Sequence, residues 1–300
     1  MIIGTIFIYF VLSVISSHVT EMIAKLFNLR IRNLENAIRM LFQEKKDGPY
    51  FRQFFNHPLI YRLSLNPKKN TSFIPKKNFT MAFLDIISGY RKNIKSASDV
   101  RESIYKIKSP VLRDQMLLLV DDMTMSTAQI KEIISEWFEV SMARASNIYK
   151  RRARLITIIV AAVMTVSLNV DTISISSYLF SNQTVRTAVV DAAQQRVESQ
   201  TLVNDDMEIK PASDTSSLDE IKINFDEIGN EIKTLDSLMI PIGWSDQGYP
   251  ISRNNIFLKF FGLLMTAYAV SLGSRFWFDM LGRVINLRND DRKTGKSKTG

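Results

Sequence analysis

Three stretches of this chain carry no Lys, Arg, Asp or Glu: residues 1–20, 155–170 and 260–274. A bilayer's hydrocarbon core takes roughly 20 helical residues to cross, and an irregular backbone cannot satisfy its hydrogen bonds there. The three blocks therefore predict an all-α membrane protein with three transmembrane helices, not an ordinary soluble enzyme. Whole-chain averages hide this, because 46% hydrophobic and 23% charged residues suit a globular domain equally well.

The first block, Met1 to Thr20, is rich in Ile, Phe and Val and lacks a basic leader. Polar Glu21 and Lys25 follow it in place of a small-residue cleavage site, so it reads as an uncleaved anchor. The second, Leu155 to Val170, has 16 uncharged residues between Arg154 and Asp171. That is short for a span, but Arg side chains snorkel at one end and the helix is expected to continue past Asp171 to Phe180. The third, Ile256 to Phe278, keeps Lys259 and Arg275 near its ends and closes on the aromatic group Phe276, Trp277 and Phe278. Gly262, Ala267, Ala269, Ser271 and Gly273 give it a small-residue surface for close helix packing.

Charge sets the expected orientation. Between Arg30 and Arg154 there are 24 Lys/Arg against 12 Asp/Glu, and Lys150, Arg151, Arg152 and Arg154 abut the second span. Between Asp171 and Arg253 the balance inverts to 6 against 14, and basic residues return from Arg283 to Lys298. The positive-inside rule then places the N-terminus outside and the C-terminus in the cytoplasm. The expected organisation is a transmembrane helix over 1–26, a cytoplasmic helical domain over 27–154, and a second transmembrane helix over 155–180. A helical-hairpin-like extracytoplasmic region over 181–254, a third transmembrane helix over 255–281 and a basic cytoplasmic tail over 282–300 complete it. The net charge of +9 is thus a sum over two faces of a membrane. Its cytoplasmic part suits membrane lipids with anionic headgroups. Nucleic acid is not the expected partner, because the basic residues are dispersed and no zinc-finger or RNP-like pattern accompanies them.

Within the cytoplasmic region, Leu29, Ile31, Leu34, Ile38, Leu41 and Phe42 recur at helical spacing. Pro58 breaks or begins a helix, and Pro67 and Pro75 mark an exposed loop. Helices are expected over Phe79–Ser88, Ala97–Ile107, Pro110–Val120 and Ser126–Tyr149; no Gly or Pro separates Ser126 from Val170, so the last is expected to enter the second span directly. In the outer region an acidic linker over Asn204–Ser217 precedes a sharp pattern. Leu218, Ile221, Phe225, Ile228, Ile232, Leu235 and Met239 alternate by three and four residues, the spacing of a packing seam within a hairpin or between subunits. Trp244 and Tyr249 are expected at the membrane interface.

Catalytic chemistry finds little purchase. The chain has no Cys and two His, His18 and His57, which removes thiol chemistry, cysteine-ligated metals and His-rich metal sites. No nucleophile neighbours His57, so its expected role is structural. No catalytic, cofactor-binding or metal-binding set is predicted, and no cofactor. Asn169 and Asp171, two positions apart at the outer end of the second span, form a candidate polar membrane site, because ionisable groups there seek water or a partner.

Several strings together resemble a family of uncharacterised bacterial integral-membrane proteins. They are His57-Pro58-Leu59-Ile60, Tyr149-Lys150-Arg151-Arg152, Leu168-Asn169-Val170-Asp171-Thr172 and Ile240-Pro241-Ile242-Gly243-Trp244. Ala269-Val270-Ser271-Leu272-Gly273, Phe276-Trp277-Phe278-Asp279 and Val284-Ile285-Asn286-Leu287-Arg288 extend it over most of the chain. The resemblance implies a bacterial cytoplasmic (inner) membrane and brings no activity with it. The expected function is a non-enzymatic assembly, signalling or effector component, self-associating or bound to a protein partner, oligomeric or pore-forming. The alternative is a membrane-embedded enzyme acting on lipid or envelope substrate, with Asn169, Asp171 and Asp279 as its polar groups; no GxSxG, P-loop, HExxH or dinucleotide motif supports it.

Overall fold

A computed structural model describes residues 1–44, 48–64, 70–90, 96–120, 124–204, 217–238, 240, 243–244 and 256–296. Among the described residues every regular element is a helix, thirteen in all, and the chain divides into two compact units. One comprises Leu26–Arg152; the other joins Met1–Lys25 to Ala153–Gly300. Residues 205–216 of the acidic linker, Met239, Tyr249 and the end of the basic tail fall outside the described residues.

The 26–152 unit contains α2 (Leu29–Phe42), α3 (Pro49–Phe55), α4 (Pro58–Tyr61), α5 (Lys76–Ile87), α6 (Ala97–Tyr105), α7 (Pro110–Leu119) and the first part of α8 (Thr127–Ser167). Its helix starts are written locally. Pro49, Pro58 and Pro110 open α3, α4 and α7, where a missing N–H costs nothing. Ser96 and Asp99 form a reciprocal capping box on α6. The helices close over an aromatic core in which Phe79 stacks on Phe138 at 4.0 Å and lies 5.4 Å from Phe54 and 5.7 Å from Phe83. His57 caps α4: its Nδ1 accepts from the Leu59 N–H at 3.2 Å, so the ring proton sits on Nε2, 3.0 Å from Asp85.

The other unit is organised around α1 (Ile2–Leu26). Ile8, Val11, Leu12, Ser13 and Ser16 are all essentially enclosed, although they point to different sides of the helix. Around it lie the end of α8, α9 (Thr172–Ser181), α10 (Gln183–Asn204), α11 (Ser217–Ser237), α12 (Ile256–Ser271) and α13 (Ser274–Lys296). Gly4 is where α1 admits its neighbours most closely, since a Cβ there would lie 3.3 Å from Leu179 and 3.4 Å from Val189. Among the described residues one helix, α1, is long and apolar enough to cross a membrane, or up to three segments are if each bent helix pair counts as one.

Three expectations change here. The stretch 155–180 is two helices, α8 and α9, bent by 54° across residues 168–171. The stretch 255–281 is also two, α12 and α13, bent by 94° at Leu272-Gly273, where Gly273 has φ +88°. Among the described residues, α10 and α11 do not stand apart: Val189 and Ala193 of α10 and Leu235 of α11 share the hydrophobic core of α1. The bends follow from residues that tolerate left-handed backbone, Asn169 and Gly273, each placed just past a helix end.

Candidate functional site

The expected polar pair sits on the bend between α8 and α9. Asn169, with φ 48°, closes α8 in a Schellman arrangement: its N–H donates to Val166 O at 3.1 Å and the Val170 N–H to Thr165 O at 3.0 Å. Leu168 O, a carbonyl the helix leaves over, accepts from the Gly243 N–H at 2.8 Å. The Asn169 side-chain amide donates back to Gly243 O at 2.9 Å, and Trp244 Nε1 donates to Ser167 O at 3.3 Å. Residues 243–244 thus strap the end of α8, and Asn169 Oδ1 is buried with no hydrogen-bond partner.

Asp171 begins the next helix. It is 7% exposed, and its carboxylate accepts from the Ile173 N–H at 2.8 Å and from Ser174 Oγ at 3.1 Å, an N-cap on the positive end of α9. Gly262 of α12 lies against it so closely that a Cβ there would fall 1.8 Å from Asp171 Oδ1. One turn along α12, Thr266 accepts from the Thr172 N–H at 3.1 Å, satisfying a further orphan donor of α9.

A chain of hydroxyls completes the junction. Thr266 Oγ1 donates to Gly262 O at 2.9 Å, so the Thr172 hydroxyl, 2.7 Å away, donates to Thr266. The Tyr9 hydroxyl, 2.8 Å from Thr172 Oγ1, then donates to Thr172. The chain ends on a backbone carbonyl, which has no proton to pass on, so it registers α1, α9 and α12 and leads nowhere as a relay. Ser13 Oγ donates to Val270 O at 3.2 Å and Trp277 Nε1 to Ala269 O at 2.6 Å, tying the end of α12 to α1 and α13. Tyr9, Thr172 and Thr266 were not singled out by sequence; a Thr within an uncharged block was the available signal.

The outer seam is placed with a different phase. Among its expected members Leu235 is buried at 4% exposure and Ile228 is half-buried, whereas Phe225 and Ile232 are more than half exposed. Leu218 and Ile221 belong to α11, but their side chains lie outside the described residues. The face that α11 buries runs through Asn224, Ile228, Glu231 and Leu235, and Leu238 just past its end is buried as well.

That polar face borders a cleft of about 680 Å³ walled by α1, α10, α11 and α13. His18 Nε2 lies 3.0 Å from Glu227, and Arg196 pairs with Glu231. Arg275 and Asp279 line the same cleft. No protein-family model, curated protein or solved structure matches the chain. The functional reading therefore rests on this geometry. Asp171 is engaged by its own helix and held against Gly262, which is the chemistry of an anchor. No group of three or more His, Asp or Glu among the described residues is arranged to hold a metal ion.

Proposed function

We propose that the chain is an integral protein of a bacterial cytoplasmic membrane that acts as a non-enzymatic assembly, signalling or effector component through self-association or a protein partner. The observation that carries this reading is an inverted burial pattern in two helices. In α12 the buried residues include Gly262, Thr266 and Ala269, while Phe257, Phe260, Phe261, Leu264 and Tyr268 are each more than half exposed. The end of α8 resembles it, with Val160, Ala161 and Thr165 buried and Leu155, Ile159, Val163 and Val166 exposed. A water-facing helix buries its large apolar side chains; lipid removes that drive, and small residues turn inward to let backbones approach. Exposed apolar surface on this scale marks a membrane or protein contact.

The Lys/Arg asymmetry supports an N-terminus outside and a C-terminus in the cytoplasm. Helix contacts built from small residues and hydroxyls support an assembly role. Two measurements test the reading. A reporter fused after Gly300 and one inserted near Glu198 should report opposite compartments, and the chain should stay with membranes through alkaline carbonate extraction. Release by carbonate would overturn the membrane placement; a periplasm-specific reporter active at Gly300 would overturn the orientation. Size and conductance of the purified protein in liposomes then separate an oligomer from a pore.

A further inference from the structure

The cleft beside α1 holds α11 through an arrangement that depends on one proton. His18 is the one side chain in the first 20 residues that can carry a positive charge, and both its ring nitrogens meet oxygens of α11: Nε2 at 3.0 Å from Glu227 Oε2 and Nδ1 at 3.4 Å from Asn224 Oδ1. An imidazolium donates from both nitrogens, whereas neutral imidazole has one N–H and one lone pair. The doubly protonated ring therefore matches both acceptors. With the ring neutral, one of the two bonds is lost or the Asn224 amide must turn over. His57 differs, since its Nδ1 accepts the Leu59 N–H and only Nε2 faces an acid, Asp85.

Two nitrogens at the α11 contact are left without partners. Asn224 is 5% exposed and its Nδ2 has no hydrogen-bond partner, and Arg196 Nε is likewise buried and unpartnered. Such groups weaken a contact, because burial takes their water away and returns nothing. We propose that α11 is a pH-sensitive latch on α1, closed when His18 is protonated and loosened when it is neutral. The other charged groups lining the cleft are Glu227 and Glu231 on α11, Arg196 on α10, and Arg275 and Asp279 on α13. Ordinary carboxylates and guanidinium groups keep their charge between about pH 5.5 and 8.5, whereas an ordinary imidazole loses its own in that window.

The absence of cysteine lets one spin-label pair report the latch. Labels at Glu21→Cys on α1 and Lys222→Cys on α11, both exposed positions, give a distance distribution by pulsed electron resonance in the full-length protein. Between pH 5.5 and 8.5 the ratio of short to long distances should fall about two- to fivefold, the effect of a partly exposed ion pair. In the His18→Gln and Glu227→Gln backgrounds it should not change with pH. Identical distributions at both pH values overturn the latch, as does a pH response that persists in either variant.

Discussion

Gly262→Ala gives the sharpest test of the α8–α9–α12 junction, because structure and helix propensity predict opposite signs. In the interior of a helix, Ala is favoured over Gly by about 0.5–1 kcal/mol. Here the new Cβ would lie 1.8 Å from Asp171 Oδ1 and 2.7 Å from its Cγ. The carboxylate has little freedom to yield, since it accepts from Ile173 N–H and Ser174 Oγ. Either the cap is lost, at about 0.5–2 kcal/mol, or α12 moves outward at an overpacking cost of about 1–3 kcal/mol. The net expectation is a loss of about 1–2 kcal/mol. In an Asp171→Ala background the obstacle is gone and the same substitution should stabilise by about 0.5–1 kcal/mol. Reversible unfolding in mixed micelles, followed by tryptophan fluorescence, yields the four corners of this double-mutant cycle, with an expected coupling of about 1.5–3 kcal/mol. If Gly262→Ala stabilises both backgrounds equally, Asp171 does not hold α12 as described.

Other substitutions probe the remaining parts. Phe79→Ala removes a fully buried ring from the aromatic core and should cost about 3–5 kcal/mol, measured by chemical unfolding. His57→Ala removes the α4 cap and strands the Asp85 contact, at about 1–3 kcal/mol by the same assay. Leu235→Asp should destabilise the fold, while Phe225→Asp should leave unfolding nearly unchanged; a changed assembly size for Phe225→Asp by light scattering would show that the exposed half of the seam binds a second chain. The Glu139 carboxylate beside Lys76 raises the ammonium above its ordinary 10.5. Any stability from that pair is therefore present at neutral pH and is lost only as pH rises through the raised value; because both side chains are at least half exposed, Lys76→Met should still shift neutral-pH unfolding curves very little.

What sequence makes legible here depends on whether local rules or long-range partners decide. Helix starts at Pro49, Pro58 and Pro110 obey local steric rules, and so does the unbroken run of α8 from Thr127 to Ser167. The bends at Asn169 and Gly273 carried local signals too, a residue tolerant of positive φ at each, yet apolar length outweighed them and produced straight spans. The α11 seam shows the limit of periodicity. Its three–four alternation picks the apolar stripe containing Phe225 and Ile232, whereas the helix buries a neighbouring stripe containing Asn224 and Glu231. Hydrophobic spacing cannot anticipate that choice, because the reasons lie on other helices: His18 of α1 and Arg196 of α10 supply the polar partners.

The same distinction bears on α1. Lack of charge qualifies α1 for a bilayer, but lipid and a protein interior both select for it. In the structure 61% of its most apolar 18-residue window is buried inside the protein. Its composition is therefore accounted for by its neighbours before any lipid is invoked. α12 is different: its Phe, Leu and Tyr side chains at 257, 258, 260, 261, 264 and 268 face outward, while Gly262, Thr266, Ala269 and Val270 are covered, which no water-facing packing rewards. Net apolarity ranks both helices as spans, and only the direction in which the apolar groups point separates them. Lipid-soluble probes should accordingly label α12 at Phe257, Phe261 and Tyr268 far more than α1 at Phe7 or Leu12. Equal labelling of the two helices would mean that the bundle opens in the bilayer and that α1 is covered by lipid instead of by α10 and α11.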